Sequence, residues 1–360
     1  SPEKIDKMSD KKKTENLNKI WRNYCISDAY EPGSTFKPMT VAACLDEGVT
    51  TGSRAYHCDG YQVINGVRIK CVAYSRGGHG TINICQSLME SCNDVLMQLG
   101  ADLGKRKFLQ YVNEFGFGKK TGIDLPGEAT GGVFTNDTMH AVELATSSFG
   151  QGQTVTMIQM AAAFSSVING GNYYEPHVVK EVKSENGAVL ESNDNALVRR
   201  VITENTSKKL RKYLYKTVEE GTALPAKVAG YQIGGKTGTA EKHPTGRGNY
   251  LVSFIGFATK DNPEVMIYVT IDEPHVADQA HSTYATQFSS EVLKEVLPVL
   301  GMYQDSSTKK ADKTKASDIK LPSTKEAPDG GYSDGTYSVA GDQTDGTDTA
   351  NTASPVPSAE

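Results

Sequence analysis

The chain has 360 residues, 38% hydrophobic and 22% charged, which allows about two domains and a sizeable core. Its net charge of −5 excludes the clustered basic surface of a nucleic-acid binder, and no groove-reading motif is present. The most apolar stretch, Met157–Ile168, is broken by Gln159, Ser165 and Ser166, so it reads as a core helix and not a membrane span.

In chain order, residues 1–26 are rich in Lys and Glu and read as a polar lead-in, either a short helix or a ragged segment. The chain starts with Ser1 and has no signal peptide, so it is either cytosolic or shortened at its N-terminus. A globular body is expected over 27–303. Its first helix is predicted over 34–46, with Phe36, Met39, Thr40, Ala43 and Cys44 on one face and Gly48 as the stop. Further helices are predicted over 82–100, 108–115, 157–168 and 210–218. Alternation over 178–182 and 188–190 around Asn186-Gly187 reads as a hairpin. The period then changes. Strands are predicted over 231–240, 252–258 and 265–271, with Asp261-Asn262-Pro263 as a turn, and a helix over 284–297 closes the body. This order predicts an α+β fold with an antiparallel sheet flanked by helices. Residues 304–360 are rich in Ser, Thr, Asp and Lys and poor in large apolar residues, so a disordered tail is expected.

Six cysteines are present. Cys58 and Cys71 flank a Gly-containing loop able to close as a hairpin, which makes them a candidate disulfide on spacing alone. Cys85 and Cys92 fall on one predicted helix, about 10 Å apart along its axis, too far to pair. Cys25 and Cys44 read as small apolar fillers. No spacing matches a zinc site, so no metal is expected.

Three motifs stand in order: Ser34-Thr35-Phe36-Lys37, Ser91-Cys92-Asn93 and Lys236-Thr237-Gly238-Thr239. Serine β-lactamases and penicillin-binding proteins carry Ser-x-x-Lys, Ser-x-Asn and Lys-Thr-Gly in this order. Each motif has decoys. Ser-x-x-Lys recurs at Ser1, Ser9, Ser306, Ser307 and Ser317, all in polar lead-in or tail without a helix start. Ser184-Glu185-Asn186 falls in the hairpin turn, and Lys120-Thr121-Gly122 has no strand around it.

Ser34 follows a Glu31-Pro32-Gly33 turn and opens a helix, where free backbone N–H groups favour an anion. Lys37 shares its face at i+3 and is the candidate base, provided burial and a second cation such as Lys236 hold it neutral. Ser91 is a candidate proton relay and Asn93 a candidate ligand for a substrate amide. Thr237 and Thr239 share a strand face, and with Lys236 they suit a carboxylate. Gly238 suits close approach of a ligand backbone.

With these residues the chain resembles the transpeptidase domain of class B penicillin-binding proteins, division or sporulation type. The match extends to Tyr30-Glu31-Pro32-Gly33, Thr121-Gly122-Ile123-Asp124-Leu125-Pro126-Gly127-Glu128, Phe149-Gly150-Gln151-Gly152, Gly221-Thr222-Ala223, Gly234-Gly235 and Phe254-Ile255-Gly256-Phe257. The resemblance implies a β-lactamase/transpeptidase-like fold and D,D-transpeptidation of peptidoglycan stem peptides through a Ser34 acyl-enzyme. Penicillin would bind covalently and no cofactor would be needed. It also implies catalytic roles for Lys37, Ser91 and Lys236, and an oxyanion hole from the N–H groups of Ser34 and Thr239. The implied setting is the extracytoplasmic face of a bacterial membrane, with an N-terminal anchor helix. The implied partners are division or sporulation membrane proteins, including a glycosyltransferase. Members of this family carry upstream strands that complete the sheet, so the N-terminal strands are expected to be missing here and residues 1–26 to be a remnant of an upstream domain. Two other readings are a serine β-lactamase or β-lactam sensor on the same fold, and a non-catalytic cell-wall scaffold.

Overall fold

The computed structural model describes residues 9–193 and 196–304. The expected tail lies outside the described residues apart from Gln304. The polar lead-in forms helix α1 (Asp10–Trp21), followed by the single turn α2 (Tyr24–Ser27) and the short strand β1 (Ala29–Tyr30). A 3-10 turn, Gly33–Phe36, leads into α3 (Lys37–Asp46), so the predicted first helix begins as a tighter turn. Every residue of α3 from Lys37 to Leu45 is buried, which makes it the central helix.

Strand β2 (Ala55–Cys58) pairs antiparallel with β5 (Gly80–Asn83), and β3 (Tyr61–Ile64) with β4 (Val67–Lys70). Asn65 and Gly66, both at positive φ, turn the β3–β4 hairpin. One helix was expected over 82–100, but two are found: α4 (Ile84–Met89) and α5 (Asn93–Leu103). The break falls at Ser91, whose φ of 53° cannot continue a right-handed helix. Asn83 and Gln86 form a capping box that starts α4, and the Cys92 sulfur accepts from the Val95 N–H to start α5.

Helices α6 (Lys105–Glu114), α7 (Ala141–Ser148) and α8 (Met157–Ile168) complete the helical part, with the short strand β6 (Val155–Thr156) pairing β1. Thr156 and Gln159 make a second capping box, which explains the polar Gln159 that interrupts α8. Strand β7 (Asn172–Tyr174) pairs with β10 (Leu197–Arg200), and the predicted hairpin appears as β8 (Glu181–Lys183) with β9 (Val189–Ser192). Helix α9 (Glu204–Glu220) precedes a three-stranded antiparallel sheet ordered β11 (Ile233–Glu241), β12 (Tyr250–Ala258), β13 (Val265–Asp272). Helix α10 (Thr283–Val299) closes the body.

Alternation along β12 divides the core. Ile255 and Phe257 join the large helical cluster around Phe36, Met39, Val41 and Leu96. Phe254 and Ala258 join a second cluster with Val218, Leu293 and Leu297. The central strand β12 is therefore buried on both faces, which fits its mostly apolar run interrupted only by Ser253 and Gly256. No helix among the described residues is long and apolar enough to cross a membrane.

Candidate active site

Among the described residues strand β11 pairs only with β12, and its other edge faces the Ser34 turn. Two glycines allow this approach. Gly33 has φ +54°, and a Cβ there would sit 2.7 Å from the Thr239 carbonyl oxygen. A Cβ on Gly238 would sit 2.4 Å from Ser253 Oγ and 2.9 Å from Thr35 Cγ2. The room left by Gly238 is thus filled by the protein's own chain, although its sequence context suggested room for a ligand. The loop after α7 braces the turn from behind, where the Gly33 N–H donates to the Gly150 carbonyl at 3.0 Å.

The Ser91 backbone, turned outward at its positive φ, places the hydroxyl between the other two motifs. Ser91 Oγ donates to Ser34 Oγ at 3.0 Å and accepts from Lys37 Nζ at 2.9 Å and Lys236 Nζ at 3.0 Å. One donated bond and two accepted bonds use the full capacity of a hydroxyl. Lys37 Nζ also donates to the Ser91 carbonyl at 2.6 Å and Asn93 Oδ1 at 2.7 Å, while Asn93 Nδ2 donates to the Lys70 carbonyl at 3.3 Å. Lys236 Nζ donates to Thr237 O and Oγ1, both at 3.2 Å. Both lysines are 0% exposed, and a buried ammonium needs such acceptors to offset lost hydration.

The structure brings Ser34, Lys37, Ser91, Asn93, Lys236 and Thr237 into one hydrogen-bonded group, with Thr239 further along the same strand. Thr239 Oγ1 is buried without a hydrogen-bond partner. A lone buried hydroxyl is unfavourable unless a bound group satisfies it. Thr222, on the loop after α9, accepts from Thr237 Oγ1 at 3.4 Å. Its short side chain carried no signal beyond the Gly221-Thr222-Ala223 match.

A profile described as the penicillin binding protein transpeptidase domain matches residues 3–296. The chain belongs to the penicillin-binding protein transpeptidase family. It is 42% identical to stage V sporulation protein D of Bacillus subtilis over 286 residues, covering 78% of this chain and 44% of that protein. It is 29% identical to a probable peptidoglycan D,D-transpeptidase, PenA, of Neisseria flavescens over 306 residues, covering 84% of this chain and 71% of that one. Penicillin binding protein 3 of Mycobacterium tuberculosis, solved with ampicillin, superposes with a TM-score of 0.72 at 26% identity, covering 79% of this chain and 65% of that one. This transpeptidase-family chain thus spans a little under half of the sporulation protein it matches.

The cysteine expectation is corrected. Cys58 and Cys71 are free thiols, not a disulfide. The β3–β4 hairpin does bring them together, but Cys92 and His79 converge on the same point. Cys92 was expected on a helix with Cys85. The break at Ser91 instead turns its side chain inward, 3.7 Å from Cys71 Sγ.

Proposed function

We propose that this chain is the catalytic part of a peptidoglycan D,D-transpeptidase. Ser34 Oγ attacks the carbonyl of a D-Ala-D-Ala stem peptide. Its proton passes through Ser91 to Lys37 Nζ, which acts in its neutral form once the Ser34–Ser91 and Ser91–Lys37 hydrogen bonds have each reversed direction. The developing oxyanion is held by the N–H groups of Ser34 and Thr239 at the β11 edge. The C–N bond breaks, D-Ala leaves with a proton returned through Ser91, and an acyl ester remains on Ser34. The amine of a second stem peptide then attacks that ester and gives a proton back to Ser34 Oγ, leaving a new amide cross-link. Lys236, Thr237 and the unpartnered Thr239 hydroxyl bind the terminal carboxylate. A β-lactam follows the first half of this path and stays on Ser34.

The observation that carries this reading is the Ser91 hydroxyl, which bonds the nucleophile and both buried lysines at once. Such a serine–lysine group needs no cofactor. The relatives' names support peptidoglycan as substrate and a sporulation setting for one of them; a place at the extracytoplasmic face of the bacterial membrane, beside division or sporulation proteins and a glycosyltransferase, is proposed from the family resemblance alone. Labelling with a fluorescent penicillin is the test. Wild-type chain is expected to carry one stable label that Ser34→Ala lacks. Equal labelling of Ser34→Ala, or turnover of the penicilloyl ester within seconds, would overturn the proposal.

A further inference from the structure

Next to the Ser91 relay lie three buried thiols and one imidazole, contributed by four separate segments. Cys58 ends β2, Cys71 follows β4, His79 precedes β5 and Cys92 precedes α5. Their donor atoms all lie within 4.8 Å of one another. Cys58 Sγ is 3.5 Å and Cys71 Sγ 3.6 Å from His79 Nδ1, and Cys71 Sγ is 3.7 Å from Cys92 Sγ. A tetrahedral zinc with Zn–S about 2.3 Å and Zn–N about 2.0 Å has sulfur–nitrogen edges of about 3.5 Å and sulfur–sulfur edges of about 3.8 Å. The observed spacings match those edges. A disulfide needs about 2.05 Å between sulfurs.

The surrounding chain is shaped for this convergence. Gly78 has φ +94°, and a Cβ there would lie 2.1 Å from the Cys58 carbonyl oxygen, so only glycine lets the His79 loop close over Cys58. The ring atom His79 Nε2 is buried without a partner, leaving Nδ1 as the nitrogen that faces the thiols. Cys92 Sγ accepts the Val95 N–H at 3.4 Å, a bond suited to a thiolate.

We infer that Cys58, Cys71, His79 and Cys92 form a closed Cys3His zinc site that positions Ser91 and Asn93. Binding replaces three thiol protons by one Zn2+, so three protons leave and the filled site carries one net negative charge. The metal acts on catalysis through the chain. Cys92 lies between Ser91 and Asn93, and Asn93 Nδ2 donates to the carbonyl of Lys70, the residue before Cys71. Two ligands therefore fix both sides of the Ser-x-Asn segment, whose left-handed Ser91 needs such support. The four are positioning residues and touch no substrate.

Metal content is measured first, on the chain purified under reducing conditions without chelator. One zinc per chain is expected, with loss of zinc in Cys71→Ser and His79→Ala and retention in Cys85→Ser, whose thiol lies outside the cluster. Chelator-stripped wild type given Co2+ is expected to show the visible absorption of tetrahedral cobalt thiolate. That measurement stands even if the ligand variants do not fold. Absence of both zinc and cobalt absorption, or a disulfide among the three cysteines in the reduced chain, would overturn the site. The positioning role rests on the acyl-transfer reading and is tested separately. Stripping is expected to slow penicillin acylation of Ser34 by about tenfold or more, with recovery on adding Zn2+ to wild type but not to Cys71→Ser. Zinc bound with acylation unchanged on its removal would overturn the positioning role and leave the transpeptidase reading standing.

Discussion

The Ser91 hydroxyl donates to the Ser34 hydroxyl across 3.0 Å, although the two residues stand 57 positions apart. A proton leaving Ser34 requires that hydrogen bond and the Lys37–Ser91 bond beside it to reverse direction, with Lys37 neutral to accept it. Ser91→Ala is therefore expected to slow acylation by about 10²–10⁴-fold, the usual worth of a positioned proton-transfer group. It also removes one acceptor from each of two buried lysines, at about 1–3 kcal/mol of stability. Stopped-flow acylation with a chromogenic cephalosporin and denaturant unfolding measure the two. Acylation within twofold of wild type would remove Ser91 from the relay.

Thr239 offers a cleaner separation of binding from stability. Its buried hydroxyl has no protein partner to lose. Thr239→Val is expected to leave the melting temperature unchanged or slightly raised. Acylation should fall by about 10- to 100-fold, the loss of one hydrogen bond to a charged group. A large stability loss with unchanged acylation would show that the hydroxyl serves the fold.

Gly238→Ala tests the contact between β11 and the Ser34 turn. The added Cβ would meet Thr35 Cγ2 at 2.9 Å and the Pro32 carbonyl oxygen at 3.1 Å, besides Ser253 Oγ at 2.4 Å. Relief requires the turn to move away from the strand, which pulls Ser34 from the Thr239 N–H. Overpacking of this kind costs about 1–3 kcal/mol. The loss in acylation rate is expected to exceed that equivalent, because displacement by about 1 Å alone costs about 10²-fold. Paired unfolding and acylation measurements decide it.

Glu31, three residues before Ser34, predicts a pH dependence. Burial raises its carboxyl above the ordinary range, opposed by the Gly152 N–H at 3.1 Å and by His243. A raised carboxyl pKa favours the protonated form in the fold. Its contribution is fully present below the ordinary Glu range, about pH 4.3, and is lost as pH rises through the folded value. Glu31→Gln keeps an acceptor for Gly152 and removes that cost. Its unfolding free energy is expected to match wild type below the ordinary Glu range and to exceed it by a margin that grows as pH rises through the raised folded value and then levels off. A constant difference between the two proteins across that rise in pH would refute the assignment.

Much of this was legible in the chain itself. The helix at 37–46, the strands of the closing sheet, the last helix and the β3–β4 hairpin follow from hydrophobic period and turn residues, all local signals. The three motifs and their surroundings pointed to the residues that meet at Ser34, since each true copy sat at a helix start, a broken apolar segment or a strand. Two readings failed because distant contacts were invisible to them. A Cys58–Cys71 bridge, read from spacing alone, left out the Cys92 and His79 that converge on the same point, and a single helix over 82–100 ran through Ser91-Cys92-Asn93. The apolar periodicity runs through these residues, and nothing local marks the left-handed turn at Ser91.

Residue types and order thus determined the family of chemistry: a serine beside a lysine, a second serine with an asparagine, and a lysine–threonine strand. Tertiary structure alone decided that one hydroxyl would serve three partners, that Gly238 makes room for the Ser34 turn, and that Cys92 joins Cys58, Cys71 and His79. These depend on side chains from distant segments arriving at distances set by the packing around α3, and no local sequence pattern encodes such distances.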